Sequence, residues 1–328
     1  MNGTLRAFFL IAVLGCAGLF VLLYLQFNKA ITAPMYGATF SPAYAAYLGL
    51  DPREVFVATL TDMPIRQIRL PLQWNDIQPT EDTLYFEDID WYLDTAAAHN
   101  VHVTLAVGNK VPRWPECYTP DWVKPFDQQA YEQALLKYLD TTVIRYRTHP
   151  ALERWQIENE PLFPFGNCPK SNFTLVKKEI THVRALDDAH PVQLTVSGEQ
   201  QIWASVAKYT DVLGASMYRK VALPNGWRFT FPIPARVYSL QALSVSFLGT
   251  KVVISELQAE PWLTRPYGDY TPAEAAALFT PDELLKNLRY AHRTGIQEIS
   301  LWGVEWWYYL KQNGEPALWQ SAQELLRD

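Results

Sequence analysis

From residue 36 onward, short apolar runs of strand type alternate with longer stretches of helical period. The strand-like runs are Tyr36–Phe40, Gln67–Leu72, Val101–Val107, Glu153–Asn159, Val192–Ser197, Val212–Met217, Lys251–Ser255 and Glu298–Trp302. Helical patterns occupy Pro52–Thr61, Glu87–His99, Asp127–Arg147, Phe173–Leu186, Gln201–Tyr209, Ile233–Phe247 and Pro281–Thr294, and Ala317–Arg327 closes the chain. No Gly/Ser linker or composition shift interrupts the alternation, so residues 31–328 read as one domain. Eight strand–helix pairs predict an α/β fold of the (β/α)8 barrel type, since a doubly wound sheet rarely keeps so regular a series.

Upstream, Ala7 to Phe27 carry no charge over about 20 residues, the length that crosses a hydrocarbon core. Residues 1–30 are therefore expected to be a cytoplasmic stub and a single transmembrane helix, with the membrane contacted through residues 7–27. Arg6 and the α-amino group precede the run while Lys29 alone follows closely, which places the amino end inside and the barrel outside the cytoplasm. Ala30 and Ala33 could imitate a cleavage site, and cleavage there would leave a secreted protein. Val13-Leu14-Gly15-Cys16 resembles a lipobox, but cleavage there would leave ten further apolar residues on the mature chain.

Composition narrows the chemistry. With 49% hydrophobic and 19% charged residues the chain is no disordered segment, and a net charge of -6 leaves no basic field for a phosphate backbone. Nucleic acid is not an expected partner. The six histidines (His99, His102, His149, His182, His190, His292) form no metal-ligand pattern, so no metal is expected. No G-x-G-x-x-G, P-loop or G-x-S-x-G occurs, and no cofactor is expected. Of the three cysteines, Cys117 follows the third strand and Cys168 the fourth, neighbouring loops on one face of a barrel. In an oxidising compartment a disulfide between them is within reach.

Barrel sites lie where strand carboxyl ends meet the following loops. Nine of the twelve tryptophans (Trp74, Trp114, Trp122, Trp203, Trp227, Trp262, Trp302, Trp306, Trp307) map to those ends and loops, which predicts a stacking surface for sugar rings. The fourth strand ends in Glu158-Asn159-Glu160-Pro161 and the seventh in Ser255-Glu256, placing two carboxyls across one mouth. Glycosidic cleavage needs such a pair: one carboxyl protonated for the leaving oxygen, one ionised at the anomeric carbon.

These residues resemble clan A retaining glycoside hydrolases, with family 5 cellulase-like enzymes nearest. The resemblance rests on Asn159-Glu160-Pro161, Glu256, Arg69 in Ile68-Arg69-Leu70-Pro71 with Trp74 after it, Tyr218, and Trp302-Gly303. It implies that Glu160 is the acid/base and Glu256 the nucleophile of a retaining hydrolysis of β-glycosidic bonds. Asn159 would hold the sugar 2-hydroxyl, Arg69 and Tyr218 would bond the nucleophile, and Trp302 would floor the reacting subsite, with Trp74 a further substrate contact. Val107-Gly108-Asn109 departs from the histidine common at the third strand end of family 5, and His102 lies too early to replace it. Glu158, Glu199, Glu260 and Glu305 are rival carboxylates. A membrane-tethered transglycosylase and a catalytically silent carbohydrate-binding barrel are the competing functions.

Overall fold

The computed structural model describes residues 33–123, 127–170, 172–222 and 227–327, together with Leu14, Gly15 and Gly18. Apart from those three residues, the expected span from Ala7 to Phe27 lies outside the described residues. Among the described residues, no helix is long and apolar enough to cross a membrane.

Eight parallel strands close into a barrel. In chain order they are β1 (Met35–Thr39), β2 (Gln67–Pro71), β3 (His102–Val107), β4 (Leu152–Ile157), β5 (Val192–Ser197), β6 (Val212–Met217), β9 (Lys251–Gln258) and β10 (Glu298–Trp302). A two-stranded hairpin, β7 (Lys220–Ala222) and β8 (Arg228–Thr230), stands apart in the loop after β6. The barrel strands are buried along nearly their whole length, as parallel strands covered by helices must be. That burial makes their sequences continuous runs, which is why their positions could be read.

The outer helices form where caps and apolar stripes coincide. In α10 (Pro281–His292) Thr280 and Glu283 make a capping box, Pro281 opens the first turn, and Leu284, Leu288 and Ala291 share the buried face. Further helices are α1 (Pro42–Tyr47), α2 (Pro52–Asp62), α3 (Trp74–Ile77), α4 (Glu87–Ala98), α5 (Gln128–Tyr146), α6 (Phe173–Leu186), α7 (Ala204–Ala207), α8 (Ala235–Ser246), α9 (Pro272–Leu278), α11 (Val304–Gln312) and α12 (Ala317–Leu325).

Three expectations change. The helix expected over Gln201–Tyr209 shrinks to the single turn of α7, because Gln201 turns its side-chain oxygen to the Ser197 N–H at the end of β5, 2.8 Å away. Segments read as loops contain α1, α3, α9 and α11, and α11 is buried continuously from Val304 to Leu310. The seventh strand runs on through Gln258 and skips a residue. Ala215 pairs with Ile254 but Ser216 pairs with Glu256, leaving Ser255 unpaired. A bulge of this kind re-aims the side chain that follows it, and here it sets Glu256 beside Ser216.

The barrel interior is polar. Arg154 near the strand starts pairs with Glu298 at 2.7 Å, and Gln193 donates to Gln156 at 3.2 Å. Gln156 in turn accepts from Arg69 Nε at 2.6 Å. The apolar core lies between the strands and the helical ring, which leaves the barrel axis to a ladder of polar groups ending at the mouth.

Candidate active site

Arg69, on β2, is 2% exposed and acts as a fork. Its Nη1 lies 2.6 Å from Glu256 Oε1, its Nη2 donates to Asn159 Oδ1 at 2.7 Å, and Nε is held by Gln156. The Tyr218 hydroxyl donates to the other Glu256 oxygen at 2.9 Å. Both Glu256 oxygens are thus oriented, and the guanidinium balances the carboxylate charge. Burial, followed by the Glu256 charge, holds the Tyr218 phenol well above its ordinary range, so it stays a donor.

Glu160 lies three residues beyond the end of β4, with φ +42°, and Glu158 has φ +55°. Both occupy the left-handed region that side chains other than glycine's avoid, a local strain typical of functional turns. The surroundings hold them there. Thr195 accepts the Glu160 N–H at 2.7 Å, and Lys110 Nζ donates to the Glu160 carbonyl at 3.2 Å and the Phe163 carbonyl at 2.9 Å. Burial and then the charge of Glu256 push the Glu160 carboxyl up to about 7. A carboxyl protonated near neutrality and another pinned by a cation therefore share one mouth.

Three of the rival carboxylates have other work. Glu158 accepts the N–H groups of Asn109 and Lys110 at 2.7 and 2.6 Å, and its carboxyl fills the space that a side chain at Gly108 would need. Glu260 accepts from Arg113 and from the Trp302 indole N–H, the latter at 2.8 Å, and Glu305 lies 3.2 Å from Arg113 and accepts the Ser41 N–H at 2.6 Å. The Arg113 guanidinium is sandwiched between the rings of Tyr44 and Trp302, at 3.7 and 4.2 Å from their centroids. One Trp302 face is therefore covered by the cation, and a ligand can use only the other. Gly303 permits this arrangement: its φ is +132° and an added Cβ would sit 2.6 Å from the Glu260 Cβ.

Arg69, Asn159, Tyr218 and Glu256 are thus bonded into one network, and the charges of Arg69 and Glu256 act on Glu160. Trp302 joins the same mouth through its ring contact with Tyr218. Trp74 is a correction. Its ring is fully buried against Tyr138 and Trp122, and its N–H donates to Gln78 at 3.0 Å, so no face is free for a substrate. Trp203, Trp306 and Trp307 are likewise fully buried, so the broad tryptophan surface expected from the sequence reduces to fewer rings. Cys117 and Cys168 are joined, with Cα atoms 5.2 Å apart.

Glu116 and Arg113 were missed. Glu116 is 5% exposed, accepts from Asn159 Nδ2 at 3.2 Å and lies 3.4 Å from Lys110. Burial raises its carboxyl to about 8 despite that cation. The only sequence signal was a pair of charged residues flanking Trp114-Pro115 in the loop before Cys117.

Residues 91–237 match the family model described as the TIM barrel domain of glycosyl hydrolases family 2, whereas the sequence had suggested family 5. No curated protein matches. Among solved structures, the β-galactosidase from Rahnella sp. R3 is similar at 13% identity and a TM-score of 0.58, covering 84% of this chain and 51% of that one. The chain thus spans about half the length of that β-galactosidase. GH5_18 from Streptomyces cattleya in complex with GlcNAc is similar at 14% identity and TM-score 0.58, covering 90% and 80% of the two chains. A GH10 endoxylanase from a sugarcane soil metagenome gives 15%, 0.58, 85% and 88%. What these comparisons establish is the architecture: the chain has a (β/α)8 barrel of the kind found in glycoside hydrolases, and nearly half of it resembles the family 2 barrel domain.

Proposed function

We propose that the protein hydrolyses β-glycosidic bonds with retention of anomeric configuration, using Glu256 as nucleophile and Glu160 as acid/base. The observation that carries the reading is the division of labour between two buried carboxyls at one mouth. Glu256 is bonded by Arg69 and Tyr218, and Glu160 is pushed up to about 7. In the first displacement a Glu256 oxygen attacks the anomeric carbon as the bond to the leaving oxygen breaks and that oxygen takes the Glu160 proton. In the second, water gives its proton to Glu160 while its oxygen displaces Glu256. Asn159, fixed by Arg69 and Glu116, offers its remaining amide hydrogen to a hydroxyl of the bound sugar.

Proton NMR of the first-formed product from an aryl β-glycoside tests the reading. The β-anomer is expected to appear first and the α-anomer only by later mutarotation; α-anomer first would exclude double displacement.

We further propose that residues 7–27 anchor the chain in a membrane with the barrel outside the cytoplasm. The length of the uncharged run and the Cys117–Cys168 bridge support this. Amino-terminal sequencing of membrane-extracted protein should return the residues preceding Ala7, whereas a start near Met35 would make it a secreted enzyme.

A further inference from the structure

Glu179 breaks the pattern of its helix. On α6 the buried stripe runs Leu175, Val176, Glu179, Ile180 and Val183, so a carboxyl occupies a core position where the spacing calls for an apolar side chain. It is 1% exposed, and among the described residues no N–H or hydroxyl donor reaches its Oε2. What it meets is a second carboxyl: the side chains of Glu179 and Glu158 are hydrogen-bonded to each other. Two carboxyl groups can make that bond only if one of them holds a proton. Glu158 already accepts the N–H groups of Asn109 and Lys110 at 2.7 and 2.6 Å, which favours its ionised form, so the proton belongs to Glu179. Burial, followed by the Glu158 charge, holds the Glu179 carboxyl well above its ordinary range.

The pair lies directly behind the reacting turn. Glu158 precedes Asn159 and Glu160 in the chain, and its carboxyl ties the end of β4 to the segment after β3. The same two segments are joined by the Glu158 N–H to the Val107 carbonyl at 2.9 Å, by the Asn159 N–H to the Lys110 carbonyl at 2.5 Å, and by the Lys110 ammonium to the Glu160 carbonyl at 3.2 Å. Glu158 and Glu160 sit at φ +55° and +42°, conformations that persist only where the surroundings over-determine them. Other groups acting on the pair are occupied or uncharged. The Lys110 ammonium also serves the Phe163 carbonyl and Glu116, Glu132 of α5 is drawn to Lys178 at 2.5 Å, and Tyr131 and Tyr138 of α5 are kept as neutral phenols by burial.

Resting on the hydrolase reading above, we propose that Glu179 is a positioning residue: its proton, shared with Glu158, clamps the turn that carries Asn159 and Glu160 and so sets the acid/base carboxyl against the leaving oxygen.

The test uses full-length protein and the variants Glu179→Gln and Glu179→Leu. Infrared difference spectra of wild type minus Glu179→Gln at pH 7 read the proton, because the other carboxyls cancel. The C=O stretch of a protonated carboxyl is expected, and its absence would overturn the proposal. Glu179→Gln keeps an N–H donor for Glu158 and should retain the wild-type kcat/KM on aryl β-glycosides, whereas Glu179→Leu should lose about tenfold to a hundredfold. The loss should be steepest for poor leaving groups, which need the Glu160 proton. A loss of equal size across all leaving groups would mark a smaller folded fraction and overturn the positioning role. Should Glu179→Leu not fold, Glu179→Asp, which withdraws the acid by one methylene, replaces it with the same pattern expected. Crystal structures of wild type and variant read the turn without turnover. Displaced Glu160, with no glycoside cleaved even by wild type, would keep the clamp and remove the hydrolase. Wild-type turnover, with Glu160 unmoved and kcat/KM unchanged in the variant, would remove the clamp and keep the hydrolase. Neither displacement nor turnover would overturn both.

Discussion

Arg69 and Glu256 face each other across the barrel mouth at 2.6 Å, and the same guanidinium holds Asn159 at 2.7 Å, so the proposed nucleophile and the amide proposed to meet the sugar are set relative to one another by a single side chain. Arg69→Lys keeps the charge but cannot serve Glu256, Asn159 and Gln156 together. A loss in kcat of at least about a hundredfold is expected. Arg69→Met leaves Glu256 buried without its cation and should also cost about 3–5 kcal/mol of stability, read by denaturant unfolding.

Activity should fall on the alkaline side. In the proposed mechanism Glu160 carries its proton when the leaving group departs, and with its carboxyl raised to about 7 the protonated fraction drops above that pH. The kcat/KM profile is expected to show an alkaline limb near pH 7, measured with a substrate whose leaving group needs protonation. In Glu160→Ala the limb should vanish, substrates with good leaving groups should survive best, and azide should restore rate by attacking the glycosyl-enzyme.

Stability should follow pH in the same direction. Glu116 and Glu199 are raised to about 8, and Glu160 and Glu305 to about 7, chiefly by burial in each case. Between the ordinary carboxyl range and those values the folded chain binds more protons than the unfolded one, so stability falls as pH rises. Thermal unfolding should give its higher Tm near pH 5 and a lower one near pH 8, and Glu199→Gln should flatten the slope.

The Cys117–Cys168 bridge closes a loop with a sequence separation of 51 residues. Its removal by Cys117→Ser together with Cys168→Ser should cost on the order of 4 kcal/mol on the chain-entropy account. Because Arg113 and Glu116 lie just before Cys117, activity should decline with it. Denatured, unreduced protein lacking Cys16 through Cys16→Ser should show no free thiol.

The barrel was legible because buried parallel strands are continuous apolar runs, and β5, β6 and β10 fall on the expected residues. The ends of β4 and β9 were not. A skipped Ser255 and two left-handed glutamates leave no periodic trace, so strand parity alone could not decide how Glu256 or Glu160 would point. The tryptophans misled for another reason. Trp306 and Trp307 belong to α11 and Trp74 to α3, extra helices packed against the barrel mouth, and a buried indole reads the same in sequence as an exposed one. Arg113 was invisible because its role depends on partners in the segments that follow three other strands: Tyr44 in α1, Glu260 in the loop after β9 and Glu305 in α11.

The central claim is that Glu256 becomes covalently glycosylated. Incubation with a panel of aryl 2-deoxy-2-fluoro β-glycosides of gluco, galacto and xylo configuration, followed by peptide mass spectrometry, reads the attachment point directly. The account predicts one fluoroglycosyl group on the Glu256 carboxyl, absent in Glu256→Gln and formed more slowly in Arg69→Lys. A label on Glu116, Glu158 or Glu260, or time-dependent inactivation that persists in Glu256→Gln, would contradict it.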